Sequence, residues 1–86
     1  MSRYHVIIAK SARKRLQKLP RAKKDGVLKA LKDLEQDPFL GQPLTGELAG
    51  KFSIHIWPYR IIYRIEKNRL IILVLSIGHR QSVYKH

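Results

Sequence analysis

Lys51-Phe-Ser-Ile-His-Ile-Trp-Pro-Tyr-Arg-Ile-Ile-Tyr-Arg-Ile65 decides the fold, because two runs of alternating character flank a turn signal. Phe52, Ile54 and Ile56 alternate with Ser53, His55 and Trp57, and beyond Pro58-Tyr59 the residues Ile61, Tyr63 and Ile65 alternate with Arg60, Ile62 and Arg64. Such a pattern reads as a β-hairpin. With Pro58 and Tyr59 at the tip of a two- or four-residue loop, Trp57 is expected opposite Arg60, His55 opposite Ile62 and Ser53 opposite Arg64. One face then carries Phe52, Ile54, Ile56, Ile61, Tyr63 and Ile65 and is core. The other carries Ser53, His55, Trp57, Arg60, Ile62 and Arg64, a cationic surface with a histidine and a large aromatic.

Toward the C-terminus, Glu66-Lys-Asn-Arg69 is a polar turn into Leu70 to Ile77, an apolar strand expected inside the sheet. Upstream, Phe39 to Gly50 contains Gly41, Pro43, Gly46 and Gly50 and reads as a connecting loop. A helix is expected from about Arg21 to Gln36, with Val27, Leu28, Leu31 and Leu34 inward and Asp37-Pro38 as its stop. Gly26 costs this helix about 1 kcal/mol relative to alanine, which argues for a late start. A shorter helix places Ala12, Leu16 and Leu19 on one stripe, with Ser11 as N-cap and Pro20 as terminator. Tyr4 to Ala9 is a β-branched, apolar strand, and a short final strand is considered near Val83. The fold expected is α+β: an N-terminal strand and a helical hairpin packed on one face of a small, mainly antiparallel four-stranded sheet. Residues 1–86 form a single domain in this reading, with the opposite sheet face left for function.

The chain has 86 residues, 44% of them hydrophobic, which suits one core rather than two. Eighteen Lys and Arg against six Asp and Glu give a formal charge of +12, which points to a polyanionic partner, nucleic acid above all. Eight of the basic residues lie between Lys10 and Lys24, where there is no acid. They are either a solvated helix face or the source of a field that attracts phosphate without reading sequence. Absence of cysteine excludes disulfides and thiolate metal sites. The longest apolar run, Leu70 to Leu75, is too short to cross a bilayer, so no membrane role is expected.

No carboxylate pair, Ser-His-Asp spacing or phosphate-cradling glycine loop stands out, and His5, His55, His79 and His86 lack metal-ligand spacing. Arginine, histidine and tyrosine recur on or beside the free sheet face. Metal-independent RNA cleavage by its own 2′-hydroxyl suits that inventory, since it needs a proton acceptor, cations for the pentavalent phosphorane and a donor for the leaving oxygen. Histidine ordinarily titrates near pH 6.5, which makes His55 the candidate base. Arg60, Arg64 and Arg80 suit planar, bidentate phosphate contacts, and Trp57 or Tyr84 suits stacking on an unpaired base. Each has a plainer alternative: Trp57 covering a turn, Arg64 pairing with Glu66, Tyr84 docking the C-terminus onto the core.

Gln42-Pro-Leu-Thr-Gly-Glu-Leu-Ala-Gly50, Trp57-Pro-Tyr-Arg-Ile-Ile-Tyr-Arg-Ile65 and Ile77-Gly-His-Arg-Gln-Ser-Val-Tyr84, in that order, resemble the RelE family of the RelE/ParE toxin superfamily. Ala12-Arg-Lys-Arg-Leu-Gln-Lys-Leu-Pro20 is similar to that family's first helix. The resemblance implies a cytoplasmic type II toxin, without cofactor or metal, that cuts mRNA in the ribosomal A site through the 2′-hydroxyl and leaves a 2′,3′-cyclic phosphate. It also implies an antitoxin that wraps the toxin and represses their operon, so operator DNA is met only through the antitoxin, while ribosome and mRNA are met directly, rRNA through the basic helical face. Arg60 and Arg80 match the family's phosphate-binding arginines, and Tyr84 matches its C-terminal tyrosine. The family's two strand lysines are replaced here by Ser53 and His55, with Lys51 as a nearby cation. Two other classes stay open: a ParE-like DNA gyrase inhibitor without nuclease activity, and a non-catalytic nucleic-acid-binding module.

Overall fold

The computed structural model describes residues 3–79. In chain order these are β1 (His5–Ile8), α1 (Lys10–Lys18), α2 (Arg21–Gln36), a tight helical turn at Pro38–Leu40, β2 (Gln42–Pro43), a second such turn at Gly46–Leu48, β3 (Phe52–Ile56), β4 (Tyr59–Glu66), a polar turn at Lys67–Arg69 and β5 (Ile71–His79). The strands form one sheet ordered β1-β5-β4-β3-β2, in which β1 runs parallel to β5 and the other neighbours are antiparallel. The α+β class and the interior place of β5 are as expected, but the sheet has five strands, not four. The added strand is β2, two residues of the supposed loop that pair with Phe52 and Ser53. So short a strand has no alternation to read, and its Pro43 is tolerated because β2 is an edge. The position near Val83 lies outside the described residues.

Both helices form where their periodicity puts them, with different ends. Ser11 lies inside the first turn of α1, whose N-cap is Ala9 with no side-chain hydrogen bond. In α2 the helix begins directly after Pro20 and continues through Gly26, so no late start occurs. Val27, Ala30, Leu31 and Leu34 are buried, whereas Leu28 is 46% exposed because it stands about 100° around the helix from Val27, off the inner stripe. These residues, with Ala12 and Leu16 of α1, meet Ile61, Tyr63, Ile72, Val74 and Ile77 of the sheet. Each large side chain so buried contributes roughly 1.5–3 kcal/mol, which makes this contact the main source of stability.

Two details of the sheet set the faces. First, the hairpin pairs Ile56 with Tyr59, His55 with Arg60, Ile54 with Ile61, Ser53 with Ile62 and Phe52 with Tyr63. The tip is therefore Trp57–Pro58, joined by a cis peptide bond, and the register differs by two residues from the expected one. An even shift keeps each side chain on its face, so the core assignment survives while the cross-strand partners change. Second, the β4–β5 register breaks between Ile62↔Ser76 and Tyr63↔Val74, leaving Leu75 as an extra residue. That bulge reverses the alternation of β5, so Ile77 as well as Val74 enters the core.

The face away from the helices is not wholly free, as Ser53 and Ile62 are each only 3% exposed. At the far end of the core, the Tyr63 hydroxyl donates to the Pro38 carbonyl at 2.8 Å and accepts from the Gly41 amide at 3.0 Å. Tyr63 stacks on Phe52, and Phe52 meets Phe39 edge-on. Burial raises the Tyr63 phenol above the ordinary tyrosine range; the Gly41 amide partly offsets this and the Asp37 carboxylate adds to it. Glycine is required at 41 for space, since a Cβ there would sit 2.5 Å from the Tyr63 hydroxyl and 2.7 Å from the Ser53 carbonyl oxygen.

Gly41→Ala is therefore expected to unseat the Tyr63 hydroxyl and lower unfolding free energy in urea by about 1–3 kcal/mol. Gly26→Ala should act oppositely, raising it by up to about 1 kcal/mol, because the new Cβ would lie 3.4 Å from Ile56 Cγ2, an ordinary contact. For Tyr63, a folded-state pKa above the unfolded one means its contribution is complete below the unfolded value of about 10 and is lost as pH rises through the folded value. Alkaline titration of phenolate absorbance should show one lagging tyrosine, absent in Tyr63→Phe.

Candidate active site

The two-residue shift in register brings His55 directly opposite Arg60, and Arg60 lies opposite Gly78 on β5. Directly paired residues share a face, so an imidazole, a guanidinium and a residue without a side chain form one row across three strands. By alternation this row lies on the face away from the helices. His55 is exposed, Arg60 is half-buried and its Nε is fully covered. Trp57, 55% exposed at the hairpin tip, sets its indole edge-on to the His55 ring, with centroids 5.7 Å apart at 73°. Next along β4, Tyr59 pairs with His79 and their rings meet edge-on at 6.3 Å.

This end of the sheet also receives the helical hairpin. Lys23, in the first turns of α2, donates from Nζ to the Trp57 carbonyl at 2.8 Å. Of the eight basic residues from Lys10 to Lys24, Lys23 and Lys24 are half-buried and the others exposed, so their charge faces solvent around the corner between α1 and α2. Lys23 thereby sets one of these cations against the hairpin tip whose indole meets His55.

Other residues singled out from the sequence fall elsewhere. Ser53 is buried between Gln42 and Ile62, so its side chain does not present an open phosphate-binding surface. Lys51 precedes β3, tied by its own backbone to Leu44 and Leu48. It stands four residues from His55, about 13 Å along an extended chain. Arg64 is exposed but pairs with Glu66 at 3.0 Å, and Glu66 also holds Arg69 at 3.0 Å, the plainer of the two readings considered for Arg64. Arg80 and Tyr84 lie outside the described residues. Lys23 was missed as a site neighbour, because its partner Trp57 lies 34 residues away and no local pattern marks the contact. Among the described residues no group of three His, Asp or Glu is arranged to hold a metal, and no helix is long and apolar enough to cross a membrane.

Residues 6–84 match the family described as the ParE toxin of the type II toxin-antitoxin system, parDE. Toxin RelG of Mycobacterium tuberculosis is 37% identical over 84 residues, covering 95% of this chain and 97% of the relative. Toxin RelE of the same organism is 30% identical over 88 residues, covering 95% and 87% respectively. A chain of the toxin-antitoxin complex RelBE2 from Mycobacterium tuberculosis superposes with a TM-score of 0.82 at 38% identity, covering 91% of this chain and 99% of that one. With a family match over residues 6–84 and a shared fold along nearly the whole chain, the protein belongs to the RelE/ParE superfamily of toxins from type II toxin-antitoxin systems.

Proposed function

We propose that this toxin is a metal-independent endoribonuclease that enters the ribosomal A site and cuts the message there, arresting translation. The pairing of His55 with Arg60 supports the reading, because it brings an imidazole and a guanidinium together on the face away from the helices, groups suited to accepting a proton and to holding a phosphate. In the reaction the ribose 2′-oxygen attacks the adjacent phosphorus while His55 takes its proton. Negative charge then grows on the equatorial phosphate oxygens, where Arg60 and Arg80 donate. The bond to the 5′-oxygen breaks, Tyr84 or a protonated histidine supplies the proton it needs, and the products are a 2′,3′-cyclic phosphate and a 5′-hydroxyl. Trp57 offers an exposed face for a base.

The basic stretch from Lys10 to Lys24 serves as the contact for rRNA, which gives binding that weakens with salt. An antitoxin partner is supported by the complex in which the RelBE2 relative was solved. Operator DNA is reached through that antitoxin, and the toxin works in the cytoplasm, where its ribosomes are. One observation favours a second reading, inhibition of DNA gyrase without cleavage: the ParE description of the matching family. Names of the two curated relatives, RelG and RelE, favour the first.

Induction in bacterial cells, with primer extension on a translated message and an untranslated control, separates the readings. Cuts confined to the translated message are expected; growth arrest without cuts would transfer the assignment to gyrase. Arg60→Ala and Arg80→Ala should each slow cleavage by about a hundredfold or more with unchanged circular dichroism, and full activity in both would sink the site. His55→Ala should flatten the acid limb of the pH–rate profile, and an unchanged profile would remove His55 as the base.

A further inference from the structure

Lys23 lies among eight basic residues that, by composition alone, are interchangeable contributors to a positive field. The structure separates it from the rest. Its ammonium is 2.8 Å from the carbonyl oxygen of Trp57, 34 residues away, at the tip of the β3–β4 hairpin. Arg21, a neighbour of equal charge in the same helical turn, is exposed, whereas Lys23 is half-buried. Three residues on and on the same side of α2, Gly26 leaves the helix close enough to β3 that a Cβ would touch Ile56. The helix and the hairpin tip are thus in contact through Ile56 and tied through Lys23.

Trp57 and Pro58 stand beyond the last ladder pair, Ile56 with Tyr59, so the strand pairing itself does not fix them. What the tip does reaches the site at once, because the Trp57 indole rests edge-on against His55, and His55 faces Arg60. We infer that Lys23 is a positioning residue for cleavage: by holding the Trp57 carbonyl it fixes the hairpin tip, and through the indole it fixes the His55 imidazole relative to Arg60. This rests on the nuclease reading above. A group that orients the base acts on the rate of the chemical step, since misplacement of a reacting group by about 1 Å costs up to about a hundredfold. A cation that only attracts RNA acts on binding and its salt dependence.

The chain has a single tryptophan, so its fluorescence reports on Trp57 alone. The experiment compares Lys23→Met with Arg21→Met, which removes the same charge two residues earlier in α2, and with Lys23→Arg, which keeps a cationic donor. Anisotropy decay of Trp57 and single-turnover cleavage on programmed ribosomes are measured for each. The expected result is a larger fast, local component of the decay in Lys23→Met, absent from Arg21→Met and reversed in Lys23→Arg, together with a kcat lowered about tenfold or more at little change in KM. If Lys23→Met and Arg21→Met give the same anisotropy decay, or if Lys23→Met raises KM alone, the positioning role is overturned. A wild-type protein that cuts no message would instead overturn the nuclease reading, while the fluorescence arm would still show whether Lys23 holds the tip.

Discussion

Pairing of β3 with β4 commits the side chains of both strands to one of two faces, and most of the molecule depends on that choice. Ile61 and Tyr63 must face the helices for Val27, Leu31 and Leu34 to have anything to bury against. A slip by one residue would turn His55 and Arg60 into the core and leave charged groups without water. The cost of that alternative is what makes the parity of the register secure. Because the same parity sends His55 and Arg60 outward, the force that stabilises the fold also presents the candidate catalytic pair.

Tyr63 ties this pairing to the irregular segment that follows α2. Its ring is in the core, stacked on Phe52, while its hydroxyl satisfies the Pro38 carbonyl and the Gly41 amide. Those two backbone groups lie just before β2, so the bonds bring the chain alongside β3 and cover Ser53. A family position read as a cation site thereby becomes part of the interior. Two residues on, His55 stays exposed and opposite Arg60.

The charge of the chain is distributed with a purpose visible only in three dimensions. Glu66 takes up Arg64 and Arg69 at one end of β4, while Arg60, at the other end, faces His55 close to the basic helical corner. A net charge of +12 would repel itself in any compact arrangement. Placing much of it on α1 and the start of α2, in solvent, keeps that repulsion screened and makes the same residues available to a polyanion.

Alternation, helical periodicity and charge are local properties, and they determined the α+β class, both helices, which side chains of the hairpin turn toward the helices and the excess of positive charge. Leu28 shows the margin of such reading, since one step around a helix separates a core position from an exposed one. Tertiary structure alone decided which residue meets which. An alternating strand looks identical under a shift of two, so nothing in the pattern distinguishes His55 opposite Ile62 from His55 opposite Arg60; the two-residue tip at Trp57–Pro58 does. The bulge at Leu75 and the burial of Ser53 likewise depend on neighbouring strands, and the bond from Lys23 to Trp57 joins residues 34 apart in sequence. Contacts between distant segments leave no period in the chain, because they are set by where packed elements come to rest.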